Sequence, residues 1–130
     1  MVTAVCSKNP VALFGIPLLP RDALKSSKDK HFPIPDDTDE DDYFCAEVVQ
    51  NMKFAKFLGE LCDTAWPVTS GAKVRLAYSK NRRFLMLALI ASTRRNDQLV
   101  PQDGSLEKVK EIMTKEGFHE EPSWFQMVIN

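Results

Sequence analysis

Apolar residues are spaced differently in two neighbouring segments near the middle of the chain. In 73–79 large apolar residues alternate with basic or small ones, whereas 84–91 is apolar without a break. Alternation is typical of a β-strand with one face in solvent, and a continuous apolar run is typical of a strand covered on both faces. The pattern therefore predicts a hairpin over 72–92, with its first strand at a sheet edge and its second in the middle.

A helical pattern over 43–65 precedes this hairpin. On a helical wheel, the predicted core side carries Phe44, Val48, Met52, Ala55, Leu58, Leu61, Cys62 and Ala65. The predicted solvent side carries Gln50, Lys53, Lys56, Glu60 and Asp63. Val49 and Phe57 are apolar exceptions on that side, and they are either ordinary exposed apolar residues or the mark of a partner surface. The Trp66-Pro67 dipeptide ends the predicted helix, because a residue before proline avoids helical geometry.

Three further segments complete the predicted order. The apolar run 11–16 predicts a central strand, 105–116 predicts a second helix, and 124–129 predicts a short last strand. The order strand, helix, strand, strand, helix, strand is the split βαβ pattern of ferredoxin-like folds. We therefore predict one α+β domain over 1–130, with a ferredoxin-like βαββαβ antiparallel sheet and two helices on one face.

Residues 20–42 do not fit a regular element. Proline, serine and charged residues dominate this segment, and it ends in the acidic run 36–42. A structureless stretch of this length inside a small domain is usually a lid, a binding loop or disorder. We predict a long irregular insertion after the first strand, forming an acidic loop or lid, and a loose tail over 1–9.

Composition narrows the function classes only slightly. The 130 residues carry a net charge of −1, so no global field indicates nucleic acid or a membrane. Apolar runs reach only about nine residues, too few to span a bilayer, and the first residues lack the basic start of a signal peptide. Cys6, Cys45 and Cys62 form neither a disulfide framework nor a zinc motif. We expect reduced thiols, a cytoplasmic location with the nucleus not excluded, and no metal, cofactor or membrane partner.

A basic cluster accompanies the hairpin, with no acid between its members. It consists of Lys73, Arg75, Lys80, Arg82, Arg83, Arg94 and Arg95. These residues are candidates for binding an anion, an acidic partner or the phosphates of nucleic acid. The alternative is that they are solvated charges that keep an edge strand from pairing with another sheet. Whether they form one patch stays open, and the few aromatic residues nearby make nucleic acid the less favoured partner.

The acidic run 36–42 does not match a calcium-binding loop. Counting from Asp37, the sixth and twelfth positions hold Asp42 and Val48, where an EF-hand has glycine and glutamate. The run is better explained by the preference for negative charge before a helix N-terminus. A second interpretation is a lid whose acids lie over the basic strand, although each exposed ion pair contributes at most about 1 kcal/mol.

Catalytic chemistry has no clear sequence signal. Nucleotide-binding, zinc-protease and hydrolase motifs do not occur. A Cys–His pair formed by Cys45 or Cys62 with His119 is conceivable, but the sequence does not bring these residues together. No catalytic residue is assigned, and whether the protein is an enzyme stays open. The candidates for lining a pocket are Tyr78, His119, Cys62 and Trp124.

The central hairpin strand raises the question of what covers its second face. In the predicted fold both helices cover one face, and the opposite face of 84–91 is apolar in either register. A bare patch of that size needs a cover, which the 20–42 segment, a second copy or an apolar ligand would supply. Our hypothesis is a non-catalytic protein-interaction or regulatory module that forms a homodimer through this open sheet face. The alternatives are a small enzyme or ligand-binding protein with a cavity between that face and 20–42, and a nucleic-acid-binding domain that uses the basic hairpin.

Overall fold

The computed structural model of the protein describes residues 12–66, 73–79 and 82–127. The elements in chain order are β1 Ala12–Pro17, α1 Arg21–His31, α2 Glu40–Asp63, β2 Lys73–Ser79, β3 Arg82–Ser92, a short 3₁₀ helix Asp97–Leu99, α3 Ser105–Lys115 and β4 Ser123–Met127. The predicted α+β class is confirmed. The predicted tail over 1–9 and the end of the last predicted strand, 128–129, lie outside the described residues.

The four strands form one antiparallel sheet that closes on itself. β3 lies between β1 and β2, and β4 pairs with β1. β4 also pairs with β2, where Ala77 faces Met127 and Tyr78 faces Gln126. The prediction that the strand over 73–79 lies at a sheet edge is therefore wrong at Ala77 and Tyr78, where this strand has a neighbour on each side.

A glycine in β1 permits the close strand contact that accompanies this closure. The β1–β3 register shifts between Phe14 and Gly15, which marks a bulge. A Cβ atom on Gly15 would overlap the Leu87 carbonyl group of β3. Bulges bend a strand and increase its local twist, so this irregularity favours a curled sheet.

The sheet separates two apolar cores. On the helix side, α2 contributes Phe54, Leu58 and Cys62, and α3 contributes Val109 and Met113. On the other side, the buried residues are Leu13, Ala77, Met86 and Ala88. Partly buried side chains of Phe84, Phe125 and Met127 pack against this second cluster.

The second cluster corrects the prediction of an open sheet face. Met86 and Ala88, which belong to one of the rows expected to need an external cover, are at most 5% exposed. Their cover is the sheet itself, because β1, β2 and β4 curl around that side of β3. The ring of Phe84 meets that of Phe125 edge to face at 5.0 Å between centroids.

The prediction that 20–42 is irregular is wrong for its first half, since Arg21–His31 forms α1. Short isolated helices are marginal in water, so contacts with the rest of the fold must stabilise this one. Ser27 Oγ donates to Glu116 Oε1 at 3.0 Å, and His31 Nε2 lies 2.8 Å from the same oxygen. The acidic run over 36–42 leads into α2, which begins at Glu40.

Candidate interaction surface

The first half of helix α2 presents a different face to the core from the one its apolar pattern predicts. Phe44 is 72% exposed and Met52 is 68% exposed, although both were placed on the core side. Gln50, which was placed on the solvent side, is only 5% exposed. Its Nε2 donates to Asp29 Oδ1 at 2.9 Å and to the Phe32 carbonyl oxygen at 3.0 Å. The wheel assignment is therefore wrong for the first half of α2, because α1 packs on the Gln50 side.

Phe57 contributes to the same packing. Its ring centroid lies 4.4 Å from that of His31 and 5.8 Å from that of Phe32. It also packs, partly buried, against the helix-side core. Phe57 is thus a contact between α1 and α2, whereas Val49, the other apolar exception of the wheel, is exposed.

The exposed apolar residues of α2 form a continuous strip, which we call the α2 stripe. It consists of Phe44, Cys45, Val48, Val49 and Met52. Residues three and four apart are neighbours on a helix surface, so each member touches the next along the axis. The stripe extends for about 12 Å between Phe44 and Met52. Contiguous exposed apolar surface of this kind marks interaction sites in soluble proteins.

Charges of opposite sign lie at the two ends of the α2 stripe. The first turn of α2 holds Glu40, Asp41 and Asp42. Lys56 lies one turn beyond Met52, is strongly exposed, and makes only a 3.9 Å contact with Glu60. The acidic start of α2 agrees with the interpretation of 36–42 as helix-dipole compensation. Among the described residues, these acids form no ion pair with Arg82 or Arg83, so the lid interpretation gains no support there.

A shallow groove of about 510 Å³ borders the stripe. One wall is the segment Phe32 to Pro35, and the other is α2 with Cys45, Val49 and Lys53. The groove widens the apolar surface beside the α2 stripe and leaves the Cys45 thiol accessible. Sequence reasoning missed this surface because it assigned most of the stripe to the core.

The structure separates the members of the basic cluster. Arg82 and Arg83 lie at the start of β3, while Arg94 and Arg95 follow its end, roughly 35 Å away along an extended strand. Arg95 pairs with Asp97 at 3.3 Å. Hydrogen bonds from Arg95 and from Trp124 hold the pKa of the exposed Asp97 carboxyl below its usual value. Lys80 and the side chains of Lys73 and Arg75 lie outside the described part of the chain.

One unpredicted residue joins the first of these two basic groups. Arg21, in the first turn of α1, lines the same groove as Arg82 and Arg83. Its Nη2 donates to the Arg83 carbonyl oxygen at 3.5 Å. No local pattern in the sequence singles out Arg21, because the composition of 20–42 predicts an irregular segment.

The first of the four pocket candidates, Cys62, belongs to the helix-side core. Cys62 is fully buried, and its thiol donates to Met113 Sδ at 3.8 Å. Burial, followed by the charges of Asp63 and Glu116, raises the pKa of this thiol to about 12. Cys62 is therefore a packing residue rather than a nucleophile.

Two of the other three pocket candidates, Trp124 and His119, have side chains that the structure describes. Trp124 packs against the helix-side core, and its Nε1 donates to Asp97 Oδ1 at 2.8 Å. His119 is exposed on the loop before β4. The side chain of Tyr78 lies outside the described residues. The grouping that a Cys–His mechanism requires does not occur between Cys62 and His119.

Comparisons of the chain with known proteins give no guidance on its function. No protein family, curated protein or solved structure matches this sequence. Across 12–66, 73–79 and 82–127, no three His, Cys, Asp or Glu residues are grouped to hold a metal ion. None of the described helices has the length and hydropathy needed to cross a bilayer.

Proposed function

We propose that this protein is a non-catalytic protein-interaction module that associates with a second copy of itself through the α2 stripe. The observation that supports this is the exposure of apolar residues that the sequence arranges as a regular helix face. Such a face normally packs against a core, and here the rest of the described residues leave it uncovered. The homodimer predicted from the sequence is thus retained, but its surface moves from the sheet to α2.

The stripe is complementary to itself when two α2 helices run antiparallel with a two-fold axis at Val48. A residue that precedes Val48 by a given number of positions then lies level with the residue of the partner copy that follows Val48 by the same number. Phe44 is opposite Met52, and Glu40 is opposite Lys56. This arrangement covers Phe44, Val48 and Met52 with apolar residues and places each acidic first turn beside a lysine, while Cys45 and Val49 lie level with the polar Asn51 and Glu47 at the side of the contact. Complementary charges at a rim steer association and fix its register.

The expected affinity is modest. The stripe is about 12 Å long, so the contact falls near or below the low end of specific interfaces, about 1,200 Å². A dissociation constant of 1 μM corresponds to about −8.2 kcal/mol. We expect a value in the micromolar range or weaker, and an equilibrium between monomer and dimer that depends on concentration.

Sedimentation velocity over a concentration series tests self-association. Dimer should form in the native protein and disappear in Val48→Glu, because a carboxylate at the two-fold axis would meet its own symmetry mate. Leu99→Glu is the matched control, since Leu99 is an exposed apolar residue outside α2, and it should leave the dimer intact. A native protein that stays monomeric at about 1 mM, where even a Kd of 1 mM would show dimer, contradicts the proposal.

Cross-linking tests the axis itself. In a Cys6→Ser/Cys45→Ser background, Val48→Cys should be joined to its partner by a short thiol-to-thiol linker. Glu60→Cys, on the same helix but about 18 Å from Val48 along the axis, should remain uncrosslinked. Efficient linkage of Glu60→Cys, or none at Val48→Cys in a protein that does dimerise, would refute the antiparallel geometry.

We also propose that the sheet is a variant of the ferredoxin-like arrangement. β3 lies between β1 and β2, and β4 pairs with β1, as that arrangement requires. The additional helix α1 and the pairing of β2 with β4 are departures from it. The alternative of a small enzyme gains nothing from the pocket candidates whose side chains are described, because Cys62 is buried in the helix-side core, Trp124 packs against that core, and His119 is exposed on a loop.

A further inference from the structure

A small groove at the start of β3 is lined by three arginines. Its walls are Leu19, Arg21, Arg82, Arg83 and Phe84, and its volume is about 420 Å³. That volume falls within the roughly 300–1,000 Å³ of sites that hold small molecules. The groove belongs to the junction of β1 and α1 with β3, so it is separate from the α2 stripe.

The strand register explains why these three residues lie at one level. Pro17 of β1 is opposite Met86 of β3, and the Leu18 amide donates to the Leu85 carbonyl at 2.9 Å. In an antiparallel pair, each step forward on one strand is a step backward on the other. The chain after β1 therefore reaches the level of residues 82 and 83 when it arrives at Arg21.

The charges in the groove are not compensated by acids. All three arginines are exposed, and none of them lies within ion-pair distance of an acid in the described part of the chain. Asp22, Asp29 and Glu47 line the adjoining groove, to which Arg21 and Arg83 also contribute, but no acid lines this one. Like charges held close together repel, so the local arrangement favours a bound anion. By contrast, Arg95 at the far end of β3 is paired with Asp97.

We propose that this groove binds the phosphate group of a small organic phosphate. A planar guanidinium matches the geometry of phosphate oxygens and forms paired hydrogen bonds with them. Leu19 and Phe84 give the same groove an apolar wall, which favours an organic body over a bare ion. The groove holds one compact ligand, and the second basic group, at Arg94 and Arg95, is too distant to contact it.

The binding experiment uses the full chain and three probes: inorganic phosphate, phenyl phosphate and phenylacetate. Amide shifts in ¹⁵N NMR should move for residues 18–22 and 82–85, saturate with phenyl phosphate, and require higher concentrations of the other two probes. Arg21→Gln, Arg82→Gln and Arg83→Gln should each weaken phenyl phosphate binding by about tenfold or more, since a hydrogen bond to a charged group is lost. Arg94→Gln, an exposed arginine outside the groove, should leave binding unchanged.

Several results would overturn the proposal. Shifts that do not saturate at about 10 mM phenyl phosphate would mean that binding is weaker than a useful site requires. If Arg94→Gln weakened phenyl phosphate binding as much as the groove variants do, binding would depend on the overall charge of the protein instead of on this site. Equal affinity for inorganic phosphate would remove the role of the apolar wall. Tighter binding of a single-stranded oligonucleotide, with a steep loss in salt, would assign the arginines to a nucleic-acid backbone. None of these outcomes depends on dimerisation, because Val48→Glu leaves the groove unchanged and allows the titration to be repeated on a monomer.

Discussion

The orientation of α2 can be tested by removing Gln50. In the structure, the Gln50 side chain is buried and binds both Asp29 and the carbonyl group of Phe32, the residue that caps the C-terminus of α1. Gln50→Ala removes both hydrogen bonds and leaves that carbonyl without its partner at the α1–α2 contact. The opposite orientation, which the apolar pattern predicts, places Gln50 in solvent and Met52 in the core.

The expected loss of stability follows from the two contacts. A neutral hydrogen bond contributes about 1 kcal/mol, and one to a charged group about 1.5–3 kcal/mol. The Asp29 side chain is 51% exposed, so water replaces much of the second bond and its contribution falls to about 1 kcal/mol. We therefore expect Gln50→Ala to lower the free energy of unfolding by about 2 kcal/mol. Met52→Ala should change it by no more than about 0.5 kcal/mol, as for an exposed side chain.

Urea unfolding followed by circular dichroism measures both variants. With a slope of about 2 kcal/mol per molar, Gln50→Ala should shift the midpoint down by about 1 M, and Met52→Ala should barely move it. The measurement is made at two low protein concentrations, so that loss of a dimer contact does not enter the comparison. A reversed order, with Gln50→Ala near neutral and Met52→Ala losing about 2–5 kcal/mol as a core truncation does, would refute the observed orientation of α2.

Two further predictions concern the sheet and the thiols. Gly15→Ala should lower the free energy of unfolding by about 1–3 kcal/mol, as overpacking does, because its Cβ would overlap the Leu87 carbonyl. Ser123 is the exposed strand partner of Gly15, and Ser123→Ala should leave the free energy of unfolding unchanged. Equal urea midpoints for the two variants would contradict the close approach of β1 and β3. In a Cys6→Ser background at pH 8, an aromatic disulfide reagent should modify one thiol, Cys45, in the native protein. Cys62, with its raised pKa and full burial, should react only after unfolding, and rapid modification of two thiols would show that the core around Met113 opens readily.

Local patterns predicted most of the regular elements and missed those that depend on distant contacts. The alternation in β2, the apolar run of β3 and the helical spacing in α3 are strong signals within single segments. Helix α1 carries few apolar residues, and it is held by Ser27 and His31, which both contact Glu116 more than eighty positions away. The spacing of apolar residues within 20–42 carries no information about the contact with Glu116.

The orientation of α2 was mispredicted for a related reason. Apolar residues surround much of this helix, so a wheel has more than one broad apolar side. The side that faces the core is selected by α1, through the hydrogen bonds of Gln50 and the ring contacts of Phe57. Because α1 itself was not predicted, the sequence offered no ground for choosing that side. The surface formed by the α2 stripe was missed as a consequence.

Closure of the sheet determines where association can occur. An open sheet would expose strand edges and an apolar face, and both are common routes to dimers. Here the second face is filled by Leu13, Ala77, Met86 and Ala88, and β4 occupies the free side of β2 at Ala77 and Tyr78. Exposed apolar area within the described residues is instead concentrated on α2. A dimer formed through the sheet at Ala77 and Tyr78 would have to unpair β2 from β4, whereas one formed through α2 requires no change in the fold, so α2 is the surface that we propose for a second copy.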